Sequence, residues 1–194
     1  MKFFYNKINI DVPEGIYYPR EDSLLLAEAL EKINMKNKNI LEIGCGSGFL
    51  AILLAEQNNV TGTDMDKNAI ETTRKNALAN KIKLTVLQSD LFSNITGKFD
   101  VIVFNPPYLP EDEYDKVTKD AKHWSGGIKI IEKFIIQATK YLKQNGKIIF
   151  IISSLTDEVA VLGAMRLCGF SHKIIARQKI PWEELIVIKG IFKQ

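Results

Sequence analysis

The sequence predicts an α/β protein whose mostly parallel sheet carries helices on both faces. Short apolar runs alternate along the chain with stretches in which apolar residues recur every three or four positions. Such alternation of strand and helix patterns is typical of a parallel sheet. Because no repeat, low-complexity tract or linker divides the sequence, we expect one domain over residues 1–194, with residues 1–17 as a short amino-terminal extension.

Five runs account for the central strands. Residues 39–43 end in glycines, and residues 59–64 end in an acid. Residues 83–88 alternate apolar and polar side chains, which favours a half-exposed strand at a sheet edge. Residues 99–104 and 147–152 lack this alternation, as expected for strands covered on both faces.

Three helical patterns separate these strands. The first follows the acidic pair Glu21-Asp22, which suits the positive end of a helix dipole. The second follows Asp66, a suitable amino-terminal cap. The third and clearest stripe runs from residue 128 to residue 142, and Asn145-Gly146 is expected to end that helix.

The composition indicates a soluble, cytoplasmic protein. Hydrophobic residues make up 46% and charged residues 25% of the sequence, as in ordinary globular proteins. Cys45 and Cys168 form no Cys-x-x-Cys pair, so neither a metal site nor a disulfide is expected. The longest apolar run, residues 148–152, is far shorter than the ~20 residues of a membrane span. A net charge of +3 predicts no dedicated nucleic-acid surface, although it does not exclude nucleic acid as a partner.

Polar groups and glycines follow three predicted strands, at the sheet edge where α/β proteins bind ligands. The glycines of Gly44-Cys45-Gly46-Ser47-Gly48 permit a tight turn and a close approach of a ligand to the main chain. Asp64 can accept both hydroxyl protons of a ribose, and Asp90 can accept an adenine amino group while Leu91 packs on the ring. Each feature has a plainer interpretation as a bare turn, a helix cap or a solvated acid. Their occurrence at successive strand ends predicts a nucleoside site.

The run Asn105-Pro106-Pro107-Tyr108 directly follows the fourth strand. The prolines fix the backbone and hold the Pro106 carbonyl in one direction, and the Asn105 side-chain oxygen supplies a second acceptor. Two adjacent acceptors can bind both hydrogens of an R-NH2 group. Tyr108 either offers an aromatic face to that planar group or is simply packed. The motif therefore predicts chemistry on an amide or exocyclic amino nitrogen.

These motifs resemble those of the class I S-adenosylmethionine (SAM)-dependent methyltransferases of the Asn-Pro-Pro-Tyr group. More narrowly, the chain is similar to the HemK-like protein-glutamine N5-methyltransferases, in the branch that acts on archaeal and eukaryotic translation release factors. Tyr18-Pro19-Arg20-Glu21-Asp22-Ser23 and His123-Trp124-Ser125-Gly126-Gly127 carry further parts of the resemblance. It implies a Rossmann-like, seven-stranded sheet whose last strand is antiparallel, and residues 172–180 and 184–191 are suitable final strands.

The resemblance also implies which residues form the site. Cofactor contacts are expected from the glycine turn and the polar groups around it, namely Ser23, Glu42, Gly44, Gly46, Asp64, Asp90, Leu91 and Asn105. The substrate that the resemblance implies is the glutamine amide of a Gly-Gly-Gln motif, bound by Asn105, Pro106, Pro107 and Tyr108, with Asn105, Pro106 and Tyr108 as the catalytic residues. His123 stands where the branch often has a small residue, which favours a surface loop role over that of a catalytic base.

Members of the resembled branch work with a small zinc-binding activator protein at a sheet edge. Residues 82–87 offer an outermost strand for such a partner, with Lys81 and Lys83 as edge protection in the plainer interpretation. Proline at Thr85 is expected to disrupt the pairing if the N–H of that residue faces the partner.

Three other functions remain open at this stage. An adenine-N6 or guanine-N2 methyltransferase of RNA or DNA would use the same motif, although the acidic residues 111–115 would repel phosphate. A non-catalytic binding subunit is disfavoured by the intact motifs. A nicotinamide dehydrogenase is disfavoured because Phe49 stands directly after Gly48, where the glycine fingerprint would have to continue.

Overall fold

The computed structural model describes residues 1–108 and 127–193. In chain order the elements are β1 (Lys2–Tyr5), β2 (Ile8–Asp11), α1 (Glu21–Ile33), β3 (Asn39–Ile43), α2 (Phe49–Ala55), β4 (Asn59–Asp64), α3 (Lys67–Ala79), β5 (Thr85–Gln88), β6 (Phe99–Phe104), α4 (Gly127–Ala138), β7 (Leu142–Ser153), α5 (Glu158–Leu167), β8 (Phe170–Ile180) and β9 (Glu183–Phe192). None of the described helices is long and apolar enough to cross a membrane.

Seven of these strands form one sheet in the order β5-β4-β3-β6-β7-β9-β8. Strands β3 to β7 run parallel, and β9 is antiparallel to both β7 and β8. The predicted mostly parallel sheet with an antiparallel last strand is therefore confirmed. The chain builds outward from β3 to β5 and then returns to place β6 on the other side of β3. Such a reversal opens a crevice at the carboxyl ends of β3 and β6.

The sheet separates two apolar cores, because successive strand residues point to opposite faces. Ile40 and Val103 belong to one core with α1, α2 and the small residues of α3. Leu41 and Ile102 belong to the other core with α4 and α5. All four of these strand side chains are completely buried. The predicted helices on both faces are thus present, and they pack against the strands on either side.

The amino-terminal extension is an antiparallel hairpin of β1 and β2 that packs into the first of these cores. The Phe3 ring meets that of Phe49 edge-on with centroids 4.8 Å apart. Asn76 of α3 fastens the hairpin, since its Nδ2 donates to the Asp11 carbonyl at 2.8 Å and its Oδ1 accepts from the Asp11 N–H at 3.0 Å. Residues 1–17 therefore cover α2 and α3 rather than extending from the surface.

The predicted boundaries are wrong at two connections, that between α4 and β7 and that between α3 and β5. Helix α4 ends at Ala138, and Leu142, which continues the helical spacing, instead pairs with Phe99 as the first residue of β7. Asn145-Gly146 consequently lies within β7, where the pairing register shifts and Asn145 adopts a φ of 58°. Strand β5 begins at Thr85 instead of residue 83, because residues 82–84 still belong to the connection from α3.

Residues 172–180 and 184–191 are confirmed as strands within β8 and β9. The acidic residues 111–115, His123 and Trp124 lie outside the described residues.

Candidate active site

One cavity of about 260 Å³ lies at the carboxyl ends of β3, β4 and β6. The structure brings all the sequence-predicted site residues to its wall, namely Ser23, Glu42, Gly44, Gly46, Asp64, Asp90, Leu91, Asn105, Pro106, Pro107 and Tyr108. They come from five separate stretches of chain, so the fold and not sequence proximity assembles them.

The glycine turn after β3 holds the main chain against the cavity. Gly44, Gly46 and Gly48 all have positive φ, at 66°, 52° and 86°. A Cβ at Gly48 would lie 3.1 Å from the Thr73 Cα, so only glycine lets α2 and α3 approach this closely. A Cβ at Gly46 would meet nothing within 4 Å. Gly48 therefore serves packing, whereas Gly46 leaves space beside the cavity.

Asp64, the last residue of β4, secures the glycine turn. Its Oδ2 accepts the Gly46 N–H at 2.9 Å and its Oδ1 accepts the Asp66 N–H at 2.9 Å. Burial raises the pKa of the Asp64 carboxyl, while these backbone bonds oppose the rise. Each oxygen keeps acceptor capacity for a further donor. Asp66 caps α3 by accepting from the Asn68 N–H, as predicted.

Glu42, in the middle of β3's carboxyl half, is only 2% exposed. Its Oε2 is buried and finds no hydrogen-bond donor among the described residues. Burial first, and then the charge of Asp64, raise the pKa of the Glu42 carboxyl well above its usual range, while the Ala51 backbone amide lowers it. A buried, unpaired acceptor is costly, so this oxygen is suited to a ligand that brings a donor.

A strained turn after β5 forms another part of the wall. Leu91 has a φ of 46°, a backbone angle that residues other than glycine rarely adopt. Ser89 holds it there, because its Oγ donates to the Leu91 carbonyl at 2.9 Å and accepts from the Asn94 N–H at 3.1 Å. Leu91 is thus held at the cavity, while Asp90 beside it stays exposed, 3.9 Å from the Lys133 Nζ. Strain of this kind is concentrated at functional sites.

Asn105 is held by a residue whose role the sequence did not reveal. Its Nδ2 donates to the Asp22 carboxylate at 3.0 Å and to the Ser23 Oγ at 3.3 Å. Its Oδ1 is buried and has no partner within the described part of the chain. Asp22 itself is 4% exposed and lines the cavity. In the sequence, Asp22 stands out only as an acid at the start of α1, and its position beside Ser23 in the run from Tyr18 to Ser23 is the one signal of its role.

Two tyrosines share the Asp22 carboxylate. The Tyr17 hydroxyl donates to both of its oxygens at 2.9 Å. Burial, and then the charge and hydrogen bond of Asp22, raise the pKa of Tyr108 above its ordinary value. The Tyr108 carbonyl accepts from the Thr156 hydroxyl at 3.1 Å, which fixes the end of the motif to the loop after β7. Nothing in the sequence pattern had singled out Tyr17.

Residues 21–165, which contain most of this cavity, match the methyltransferase small domain family. The chain belongs to this methyltransferase family. Its cofactor is SAM. The site of this methyltransferase fits that group, because the glycine turn leaves space at Gly46 and the buried Glu42 Oε2 is free to accept from a donor.

Two curated relatives and one solved structure are similar to most of this chain. A Methanocaldococcus jannaschii protein provisionally named a protein N5-glutamine methyltransferase is 39% identical over an alignment of 189 residues that covers 94% of this methyltransferase and 95% of the relative. A release factor glutamine methyltransferase of Lactococcus lactis is 34% identical over 74% of this chain, which spans only 58% of that enzyme. Among solved structures, the E. cuniculi Mtq2-Trm112 complex, responsible for methylation of the eRF1 translation termination factor, matches with a TM-score of 0.76 and 26% identity over 92% of this chain and 99% of that one.

Proposed function

We propose that this methyltransferase methylates the side-chain amide nitrogen (N5) of a glutamine, in the Gly-Gly-Gln motif of a translation release factor. The observation that carries the proposal is the Asn105 Oδ1, a buried acceptor without a partner among the described residues. It adjoins the Pro106 carbonyl in the chain, and both residues line the cavity. The names of the relatives from M. jannaschii and L. lactis support the same substrate class.

The cofactor side of the cavity follows from its polar groups. Asp64 accepts the ribose hydroxyls, since its oxygens keep acceptor capacity beyond the Gly46 and Asp66 amides. Asp90 and Leu91 contact the adenine, and the unpaired Glu42 Oε2 accepts from a donor of the amino-acid portion. Ser23, Gly44 and Gly46 complete the wall of the cavity on this side. Bound SAM supplies an electrophilic methyl group on a sulfonium.

The substrate side activates a poor nucleophile. The lone pair of an amide nitrogen is delocalised into its carbonyl, so an uncharged amide attacks weakly. Acceptance of both N–H groups by the Asn105 Oδ1 and the Pro106 carbonyl favours a pyramidal nitrogen as positive charge develops on it. The nitrogen would gain the methyl group as the bond from that carbon to the sulfonium sulfur breaks, which leaves a neutral thioether, and it would then lose one proton through the same acceptors to solvent. Pro107 and the ring of Tyr108 hold the planar amide, which supplies the advantage of proximity.

A labelling experiment tests this function. The purified protein is incubated with methyl-labelled SAM and one of three acceptors: a release factor with a Gly-Gly-Gln motif, bulk tRNA and rRNA, or DNA. We expect label in the release factor alone, and none in a matched release factor whose glutamine is replaced by alanine. Label confined to RNA or DNA would show instead an exocyclic amine substrate, as in the adenine-N6 and guanine-N2 enzymes.

We also propose that a small zinc-binding activator subunit pairs with the edge of β5. This strand is outermost on its side of the sheet and pairs only with β4 within the described residues. Ile82 and Leu84, just before it, are partly buried against the core, and Leu87 is 39% exposed. The solved complex of Mtq2 with Trm112 shows that a protein of this shape works with a second subunit.

The backbone directions of β5 determine which of its groups are available for such pairing. The Ser89 N–H bonds the Asp64 carbonyl of β4, so by the two-residue period of a strand the Thr85 N–H also faces β4. Proline at Thr85 would therefore damage this protein's own sheet and is unsuitable as a test. The Val86 carbonyl faces the other way, where it accepts from the Arg74 Nη2 at 2.9 Å. Arg74 therefore covers the free edge.

Arg74→Ala offers a cleaner test of the activator. Removal of the guanidinium exposes the Val86 carbonyl, so we expect tighter binding of an activator subunit, measured by calorimetry with the purified pair. Leu87→Lys should weaken the same complex, because it places a charge on the exposed strand edge. Lys173→Ala, on β8 at the opposite edge, is the matched control. Full activity of the lone chain on a release factor, unchanged by added activator, would contradict this partner.

A further inference from the structure

We propose that Asp22 is a positioning residue that decides which atom of the Asn105 amide faces the substrate. This role rests on the proposed function, because it matters only if the Asn105 Oδ1 accepts a substrate N–H. Asp22 lies 83 residues from Asn105 in sequence, and its carboxylate reaches the Asn105 Nδ2 at 3.0 Å. A side-chain amide fits its site in two orientations that exchange a donor for an acceptor. A neighbour that can only accept removes that ambiguity.

The surroundings of Asp22 favour its function as a pure acceptor. Donors from four residues converge on it, namely the hydroxyls of Tyr17 and Tyr108, the Ser23 N–H at 2.6 Å and Oγ at 3.2 Å, and the Asn105 Nδ2. The carboxylate also lies in the first turn of α1, where the helix dipole favours a negative charge. No ion pair to Asp22 is formed by the described residues, so these hydrogen bonds and the helix replace a counter-ion.

The consequence appears on the other side of the amide. Because the Nδ2 is committed to Asp22 and Ser23, the Oδ1 must point away from them, and it is buried without a partner among the described residues. A buried acceptor left unpaired is costly, and a flip of the amide would place two acceptors against each other at Asp22. Asp22 thus keeps Asn105 in the orientation that accepts an N–H and prevents the orientation that would donate to it.

Asp22→Asn tests this role with almost no change in shape. The new amide can direct its own NH2 at Asn105, which turns the Asn105 NH2 toward the substrate. We expect kcat on the Gly-Gly-Gln release factor to fall at least about tenfold, with SAM affinity changed less than about threefold. Glu21→Gln removes a charge one residue earlier, on an exposed side chain, and should leave both values unchanged. The Asn105→Ala variant is assayed beside them, with any activator subunit that the wild type requires.

A second measurement does not depend on activity and makes its observation on the wild-type protein. In NMR spectra of the wild-type protein, the signal of the Asn105 side-chain NH2 is assigned by its loss in Asn105→Ala. The hydrogens of this NH2 should exchange slowly with solvent, because the Asp22 carboxylate and the Ser23 Oγ both accept from it. Free exchange of that NH2 would overturn the role of Asp22. An inactive Asn105→Ala together with a fully active Asp22→Asn would also overturn it while leaving the proposed function intact. Full activity of both variants would instead refute the two-acceptor site itself.

Discussion

Asp64→Ala is the most informative change on the cofactor side of the cavity. The carboxylate ends β4, lines the cavity and holds the Gly46 and Asp66 amides at 2.9 Å. If it also accepts the ribose hydroxyls of SAM, its removal deletes a charge-assisted acceptor. Such bonds contribute about 1.5–3 kcal/mol each, so we expect SAM binding to weaken by about 2 kcal/mol or more, roughly thirtyfold in Kd.

Two further variants separate binding from stability. Asp64→Asn keeps the size of the side chain, but its single oxygen can serve only one of the two backbone amides while its NH2 opposes the other. We therefore expect it to bind SAM about as poorly as Asp64→Ala. Asp157→Ala is the matched control, because Asp157 likewise accepts a backbone N–H, that of Ala160 at 3.0 Å, at the start of α5. It should lower the Tm without changing the SAM affinity.

Isothermal titration calorimetry of the ligand-free proteins provides the readout. A Kd of Asp64→Ala within about threefold of the wild type, with heat signals of normal stoichiometry, would remove Asp64 from the cofactor site. The residue would then act only as a brace for the glycine turn. In that case the two Asp64 variants should lose stability without losing affinity.

Three more predictions concern neighbouring residues. Alanine is strained at the positive φ of both Gly46 and Gly48, but only at Gly48 would its Cβ also lie 3.0 Å from Thr73. Gly48→Ala should therefore lower the Tm more than Gly46→Ala does, whereas Gly46→Ala should weaken SAM binding more, as measured by calorimetry; equal effects of the two variants on both quantities would contradict this division. Burial and the charge of Asp64 raise the pKa of Glu42, so its stabilising contribution is present below the ordinary carboxyl pKa and is lost as pH rises through the folded value. Glu42→Gln should therefore raise the Tm of the ligand-free protein at alkaline pH, with a gain that shrinks in mild acid; a gain independent of pH would refute this cause. Tyr108→Phe should keep at least about a third of kcat and Tyr108→Ala less than about a tenth, since the ring holds the amide; equal losses would assign the role to the hydroxyl.

The sequence predicted the parts of the fold that depend on local pattern. The predicted bounds of β3, β4 and β6 agree with the observed ones, because each of these strands is a β-branched or apolar run that ends at a glycine, an acid or a proline motif. Their carboxyl ends meet at the reversal of strand order, so the residues behind them converge on one cavity. The spacing of apolar residues gave a wrong helix end where two elements adjoin. Leu142 continues the three-to-four-residue spacing of α4, yet it belongs to β7.

The remainder depends on contacts that no local pattern contains. The Asp22 carboxylate looks like an ordinary acid at a helix start until the fold places it against Asn105, 83 residues away. Likewise, the bond from Arg74 to the Val86 carbonyl shows which backbone groups of β5 are turned outward, a detail that strand alternation alone does not give. Hydrogen-bond partners that lie this far apart in sequence can be identified only from the folded structure.

Mass spectrometry of the methylated release factor tests the central claim most directly. The substrate is treated with SAM and the wild-type protein or Asn105→Ala, digested, and searched for one added methyl group. We predict that the methyl group lies on the side-chain nitrogen of the Gly-Gly-Gln glutamine, and that Asn105→Ala forms it at less than about a tenth of the wild-type rate, a barrier increase of at least roughly 1.4 kcal/mol. A methyl group on any other residue, or an Asn105→Ala protein that exceeds this rate, would contradict the assignment of Asn105 as an acceptor for the glutamine amide.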